Sequence, residues 1–387
     1  MNDSFLNLPF FEDHHRQLFH DLDAWSSKNI TSSTHDDVDA TCQNLVRLLG
    51  KDGWLKSTVS GKLFGGSFET IDTRTICLSR EILAYHEGLA DFSFAMQGLG
   101  SGAISIAGSP SQQSTYLPDV VSGKKIAAFA LSEPHAGSDV AAMQCQATEK
   151  DEYAIIDGEK TWISNGGIAN FYVIFAREPN SIGTKGISAW IVDSNTPGLE
   201  ITERIHVIAP HPLARLKFNQ CKVSLSQRIG MAGEGFKIAM RTLDVFRTSV
   251  AAAALGFAKR AFDEALTHAQ QRHMFGQRLA DFQMTQAKLA NMATSIDSAA
   301  LLIYRAAWLR DQGKNITKEA AMAKLTATEE AQLVIDQALQ MFGGLGVVSG
   351  HVVEKLYRDI RALRIYEGAS EVQQLIIARE LLKNPTK

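Results

Sequence analysis

Apolar positions change their spacing twice along the chain, and the two changes divide it into three parts. From about Phe11 to Gly123 the pattern is helical, with segments such as Asp36–Leu49 and Ser79–Glu87 and turn signals at Gly50, Gly65-Gly66 and Ser109-Pro110. Between about Ile126 and Val223 the period becomes two. The runs Tyr153–Ile156, Phe171–Phe175 and Ile187–Val192 are β-branched or aromatic, and Asp157-Gly158, Gly166-Gly167 and Pro197-Gly198 separate them as hairpin and turn chemistry. After Gly235 a 3,4 alternation returns through Phe236, Ala239, Leu243, Phe246, Val250, Ala253 and Phe257, and again through Leu289, Met292, Ile296, Ala299, Ile303 and Ala306. Such stripes are what antiparallel bundle helices bury against one another. The expected fold is mainly α with a central β-domain, in three domains: 1–125 helical, 126–228 β, and 229–387 a helical bundle.

Length and charge narrow the function. A chain of 387 residues has ample length for a large core. With 39 Lys+Arg against 42 Asp+Glu it has no excess of positive charge to hold a duplex or an anionic membrane. Cys42, Cys77, Cys145 and Cys221 have neither the spacing of a zinc site nor that of a disulfide framework, so a reducing cytoplasm fits best. The first residues lack a cationic and an apolar region, and the longest apolar run, near Val250–Ala258, is about half a bilayer span, so neither an export signal nor a membrane helix is expected. His206 and His211, around a Pro-containing loop, have no carboxylate or Cys close by, and no metal is expected. Gly98-Leu-Gly-Ser-Gly-Ala103 matches a dinucleotide fingerprint but lacks the preceding strand that would place a pyrophosphate on a helix N-terminus.

Three segments carry candidate chemistry. Phe129–Asp139 puts Pro134 and Gly137 in a tight loop with hydroxyls at Ser132 and Ser138, suited to a flat polar ring or a phosphate, or simply a turn. Trp162-Ile163-Ser164-Asn165-Gly166 sets an indole beside a hydroxyl, suited to a flavin face, with a buried structural Trp as the alternative. Around Tyr366-Glu367-Gly368 a carboxylate stands at a helix break. Kept from water it becomes a useful base; otherwise it is a solvated Glu before a Gly cap.

These motifs, with Arg272-His-Met-Phe275-Gly276, Gln340-Met-Phe-Gly343-Gly344 and Ile-Tyr-Glu367-Gly-Ala-Ser-Glu371, occur in the order and rough spacing of the acyl-CoA dehydrogenase family, which the chain resembles from about residue 40 to Leu382. The resemblance implies an N-terminal helical domain, a middle β-barrel or sandwich and a C-terminal four-helix bundle, assembled as a homotetramer or homodimer with FAD. It implies flavin contacts at Phe129, Leu131, Ser132, Ser138, Trp162, Ile163, Ser164, Ala369 and Glu371. Arg272, Phe275, Gln283, Gln340, Gly343 and Gly344 match positions that hold the adenosine and pyrophosphate end from a neighbouring subunit. Glu367 matches the base that takes the α-proton of an acyl-CoA thioester, with the Glu backbone N–H and a flavin hydroxyl polarising its carbonyl and the β-hydride going to flavin N5. Asp244, Arg247, Gly368 and Ser138 match substrate-side positions, and electrons are expected to pass to an electron-transfer flavoprotein. The departures are His135 in place of a small residue, Ala369 in place of Thr, and Ile208-Ala-Pro-His211-Pro in place of a Gly/Ser-rich turn. His135 and His211 read as surface loop histidines. Alternatives are an acyl-carrier-protein thioester substrate, an oxidase, an enoyl-thioester reductase, and a flavin-bearing DNA-associated protein. The last would carry a basic C-terminal extension, whereas this sequence stops at Leu382–Lys387. Met96, Gln97 and the stretch near Tyr366 are expected to line the acyl pocket.

Overall fold

The computed structural model describes residues 1–30 and 37–383. It begins with α1 (Asp13–Asn29), α2 (Val38–Lys51), α3 (Thr73–His86), α4 (Gly88–Ala107) and α5 (Pro110–Val121). The strands follow: β1 (Ala127–Ala130), β2 (Gln146–Lys150), β3 (Tyr153–Ser164), β4 (Phe171–Arg177), β5 (Ile187–Asp193), β6 (Leu199–Arg204), β7 (Leu213–Ser224) and β8 (Arg228–Ile229). Then come α6 (Gly235–Gln271), the short strands β9 (His273–Met274) and β10 (Gln277–Arg278), and α7 (Gln283–Asp311), α8 (Thr317–Phe342), α9 (Val352–Leu363) and α10 (Ser370–Lys383). The chain is thus mainly α with a central β region, as its periodicity implied.

Capping chemistry sets several helix starts. The side chains of Asp37, Asp72 and Ser109 accept the backbone N–H of Ala40, Thr75 and Gln112, satisfying donors that the first helical turn leaves open. Ser109-Pro110, read as a turn, is the N-cap and first residue of α5, and Gly50 lies inside the last turn of α2. Asp36, the expected start of α2, and Asn384–Lys387 at the tail lie outside the described residues.

The described residues fold as two compact units, 1–30 with 72–91 and 247–383, and 37–71 with 92–246. In the second unit the strand order is β6-β7-β3-β2-β4-β5-β8, with β1 parallel to β4. Phe171–Ala176 of β4 and Ile187–Val192 of β5 are buried on both faces. These runs are apolar throughout for that reason, whereas β3 and β7 show a true alternation. Their inner side chains meet Leu117, Val120 and Ile238 in one core.

One expected turn is a different feature. Asp157-Gly158 lies inside β3 at a register shift against β7. The Asp157 side chain accepts the N–H of Gln220, a residue with φ 51°, at 2.7 Å, and a Cβ on Gly158 would come within 2.7 Å of Cys145 Cα. The dipeptide makes a β-bulge, which is what Asp followed by Gly also permits. Gly98 and Gly100 of the apparent dinucleotide fingerprint are buried inside helix α4 and offer no surface to a pyrophosphate.

In the first unit α3 is enclosed on every side, from Thr73 to Ala84. The α7 stripe Met292, Ile296, Ala299, Ile303 and Ala306 is buried as its spacing required. The α8 stripe is made of small residues, Ala320, Ala323, Ala327, Ala331 and Ala338, and includes Lys324. Among the described residues no helix is long and apolar enough to cross a membrane. All four cysteines are buried and unbridged.

Candidate active site

The break after α9 is built around a left-handed turn. Glu367 has φ 52° and Gly368 has φ 92°. A bulky residue with positive φ is strained, and such strain persists only where surrounding contacts over-determine it. Here they hold the two carbonyls of the turn. Lys324 Nζ and Gln373 Nε2 donate to the Gly368 oxygen at 2.7 and 2.8 Å, and Arg247 Nε reaches the Glu367 oxygen at 3.4 Å. A side chain at Gly368 would put its Cβ 2.5 Å from Gln373 Nε2, so only glycine fits.

Glu367 as a residue is only partly buried, but its Oε2 is shut off from solvent and has no hydrogen-bond partner. Burial pushes the carboxyl above its ordinary range. Arg80, Arg247 and Lys324 pull the other way, and Asp91 adds to the rise. A solvated Glu before a Gly cap is therefore not what stands here. The Glu367 N–H donates to no acceptor among the described residues.

Arg80 of α3 was not expected. Its guanidinium is 2 % exposed, grips Asp91 in a fork at 2.8 and 2.9 Å, and donates to Ser249 Oγ at 3.0 Å. Burial works against its charge, but Asp91 outweighs burial and holds the group firmly protonated. Lys324 and Gln373 were also missed. The signal for Lys324 was in the sequence, as a lysine on an alanine-rich stripe; for Arg80 and Gln373 no local pattern distinguishes them from surface residues.

The flavin-side candidates cluster in the second unit. The Thr161 N–H donates to the Ser132 carbonyl at 3.0 Å, which joins the end of β1, with Phe129 and Leu131, to Trp162, Ile163 and Ser164 on β3. Leu131 and Ile163 are buried, and Phe129 packs edgewise on Phe175. Trp162 has φ 59° beside a second bulge of β3, and its indole is 59 % exposed. The buried structural Trp is thereby excluded. A strained backbone that holds a large ring out in water is a surface awaiting a flat partner, which fits an isoalloxazine. Ser138 is exposed on the neighbouring loop. Glu133 of that loop is structural: it is buried, paired with buried Lys160 at 2.8 Å, and accepts the N–H groups of Gln144 and Cys145.

A third cluster gathers at the end of α6. Phe275-Gly276, with φ 50° and 79°, closes the two-residue β9–β10 hairpin, and Phe275 is 86 % exposed. Arg272 is exposed beside it, its N–H bonded to the His268 carbonyl, and the His268 ring stacks on Phe342 at 4.1 Å. That contact brings Arg272 near the end of α8, where Gln340, Gly343 and Gly344 are exposed; Gln283 is exposed at the start of α7. Asp244 is half-buried on α6; Ala369 and the exposed Glu371 flank the start of α10.

One expectation requires correction. Gln97 is fully buried, donates to the carbonyls of Val120 and Lys125 and accepts the Ala127 N–H, so its amide is committed to backbone and lines no acyl pocket. His211 is half-buried in its loop: its ring packs against Phe92 at 4.7 Å, its Nδ1 lies 2.8 Å from the Ala209 carbonyl, and burial lowers its basicity. His135 is exposed, as expected. His14, His15 and Asp72 lie close enough to suggest a metal site, but His15 Nδ1 accepts the Glu12 N–H and Nε2 faces Asp72, which leaves that ring no lone pair for an ion.

Comparison with known proteins agrees with this arrangement. Residues 128–221 match the family model for the acyl-CoA dehydrogenase middle domain, and residues 233–382 match that for the acyl-CoA dehydrogenase C-terminal domain. The chain is 38 % identical over 356 residues to the 3-(aryl)acrylate reductase of Clostridium sporogenes, covering 90 % of this chain and 93 % of that protein. It is 37 % identical over 365 residues to the caffeyl-CoA reductase-Etf complex subunit CarC of Acetobacterium woodii, covering 93 % and 96 %. The butyryl-CoA dehydrogenase structure from Megasphaera elsdenii superposes with a TM-score of 0.90 at 32 % identity, over 99 % of this chain and 100 % of that one. A strained, partly enclosed Glu, an uncovered indole and a matching chain length from end to end lead to one conclusion: the chain belongs to the acyl-CoA dehydrogenase family, the FAD-dependent oxidoreductases that act on CH–CH bonds.

Proposed function

We propose that this enzyme interconverts an acyl-CoA thioester and its α,β-enoyl form, with Glu367 as the group that moves the α-proton. The observation that carries this reading is the Glu367 carboxyl itself, enclosed, with a free Oε2 and an acidity shifted toward neutrality. An α-hydrogen of a thioester is a weak acid, and its removal needs a positioned base of raised basicity together with donors for the developing enolate oxygen. The unsatisfied Glu367 N–H is one such donor. Arg247 holds the carbonyl of the peptide that follows it, and Asp244, Gly368 and Ser138 are assigned to the substrate side.

Trp162, with Phe129, Leu131, Ser132, Ser138, Ile163 and Ser164, would hold the flavin ring, and Ala369 and Glu371 its remaining contacts. Arg272, Phe275, Gln283, Gln340, Gly343 and Gly344 would hold the adenosine pyrophosphate, through one fixed cation and exposed glycine backbone. FAD, when bound, supplies the hydride acceptor for Cβ. We assign the boundaries 1–125, 126–228 and 229–387 to the domains, and a homotetramer to the assembly, which the exposed Phe275, Met284 and Leu382 support.

The reductive direction is favoured by the relatives named as reductases, one of them a subunit of a complex with Etf. An electron-transfer flavoprotein is accordingly the proposed electron partner. A carboxyl of raised pKa serves both directions, as base toward the saturated thioester and as acid toward the enoyl one. Glu367→Gln should leave folded, FAD-loaded protein, with α-proton exchange into D2O and flavin bleaching by acyl-CoA both reduced by at least about 100-fold. Normal exchange in that variant would end the assignment.

A further inference from the structure

Lys324 sits in the first half of α8 with no exposed surface, on a buried face whose other residues are alanines, Thr328, Val334 and Ile335. Taking an ammonium out of water is costly unless a counter-charge meets it. Yet Lys324 forms no ion pair with any carboxylate among the described residues, and its Nζ is bound instead to the carbonyl of Gly368, at 2.7 Å. Next to that carbonyl stands Glu367, whose Oε2 is also enclosed and has no hydrogen-bond partner among the described residues. A buried cation and a carboxylate with one enclosed oxygen thus share one turn without an ion pair between them, linked through a peptide oxygen.

We propose that Lys324 is a positioning residue for Glu367: it fixes the left-handed turn through the Gly368 carbonyl and supplies an uncompensated positive charge beside the base while leaving the proton-accepting oxygen open. A direct ion pair would satisfy the carboxylate but occupy the lone pair that must take the proton. Binding the neighbouring carbonyl keeps the charge near and the lone pair free.

Three cations favour the Glu367 carboxylate, Arg80 and Arg247 ahead of Lys324; Lys324 is the one that holds the Gly368 carbonyl, and among the described residues no carboxylate is bound to it. Arg80 on α3 faces Glu367, but Asp91 on α4 grips it in a fork and offsets its field. Arg247 on α6 faces it as well and holds the Glu367 carbonyl. Of the acids facing Lys324 other than Glu367, Glu329 is tied to Arg364 and Ser370, and Glu371 is exposed. Burial brings the ammonium down to about 8, so it is charged at neutral pH.

The inference rests on Glu367 being the base, and the test separates the two. FAD-loaded Lys324→Gln, Lys324→Met and Glu367→Gln are compared with wild type by α-proton exchange of butyryl-CoA in D2O across pH. Glutamine removes the charge but can still donate toward Gly368, directly or through a water; methionine removes both. Loss of a positive neighbour disfavours the carboxylate, so the acid limb should rise by about one pH unit in both Lys324 variants. Maximal exchange should fall by no more than about 3-fold in the glutamine variant and by about 10- to 100-fold in the methionine one, with KM little changed, because only the latter releases the turn. A limb that stays at its wild-type position in Lys324→Gln overturns the proposal even if rate or stability falls, and this holds should Lys324→Met not fold. Normal exchange by Glu367→Gln would remove the base assignment, and this inference with it.

Discussion

Replacing Asp91 with Asn makes a two-part prediction, because Asp91 supports both the fold and the electrostatics of Glu367. In the native protein both Asp91 oxygens bind the Arg80 guanidinium, at 2.8 and 2.9 Å, and the pair is almost wholly enclosed. Asparagine keeps one acceptor but leaves a buried cation without its anion, a loss of about 3–5 kcal/mol. For a chain of this length, cooperative unfolding carries an entropy of roughly 0.8 kcal/mol/K, so the loss corresponds to a drop of about 4–6 °C in Tm. The second part concerns acidity. Asp91 helps to hold the Glu367 carboxyl high, and Arg80 works to lower it. With Asp91 neutral, both changes favour the carboxylate, and the acid limb of proton exchange should move down by about one pH unit, opposite to the Lys324 variants. Scanning calorimetry of FAD-loaded protein reads the first part and α-proton exchange against pH the second. An unchanged Tm, or a limb that moves upward, would refute the reasoning.

Two further expectations concern stability alone. Lys160→Met strands Glu133, whose carboxylate is buried with it and holds the Gln144 and Cys145 N–H groups, and should cost about 3–5 kcal/mol in chemical denaturation; a loss below about 1 kcal/mol would show that the pair is not what secures the loop before Trp162. Asp359 is raised to about 7, by burial first, with Glu87 and Glu354 adding to it and Lys355 and Arg358 opposing. Its folded value lies above its unfolded one, so the folded state holds the extra proton and this group's stabilising contribution is full at low pH and is lost as pH rises from about 4 to about 7. Asp359→Asn should therefore gain stability relative to wild type at pH 8 and little at pH 4; a pH-independent difference would contradict that.

The helices and β3 were legible because burial on one face writes a period into the sequence: the Met292–Ala306 stripe is buried position by position. β4 and β5 were found for a different reason than period, since both faces are covered and the run is apolar throughout. Asp157-Gly158 misled because a bulge and a hairpin require the same tolerance of positive φ; only the partner strand, with Gln220 bonded to Asp157, distinguishes them. Gln97 misled because a polar side chain in an apolar helix reads alike whether it faces a ligand or ties down backbone. The motif residues around Trp162 and Glu367, and Arg247, could be read by resemblance, while the other groups that tune Glu367 could not. Arg80, Lys324 and Gln373 are brought to the turn from α3, α8 and α10 by tertiary packing.

That separation has a physical reason. A base must be accessible to its substrate yet held away from water, so the charges that adjust it cannot be its sequence neighbours in the same exposed turn. They come from helices behind it, and each is fixed by something other than the carboxylate: Arg80 by Asp91 and Ser249, Arg247 by the Glu367 carbonyl, Lys324 by the Gly368 carbonyl. Were any of them bonded to Oε2, the proton-accepting position would be filled and the left-handed turn would gain nothing by its strain. The open Oε2 and the two tethered carbonyls therefore belong to one design, in which the backbone of residues 367 and 368 carries the contacts so that the side chain of Glu367 need not.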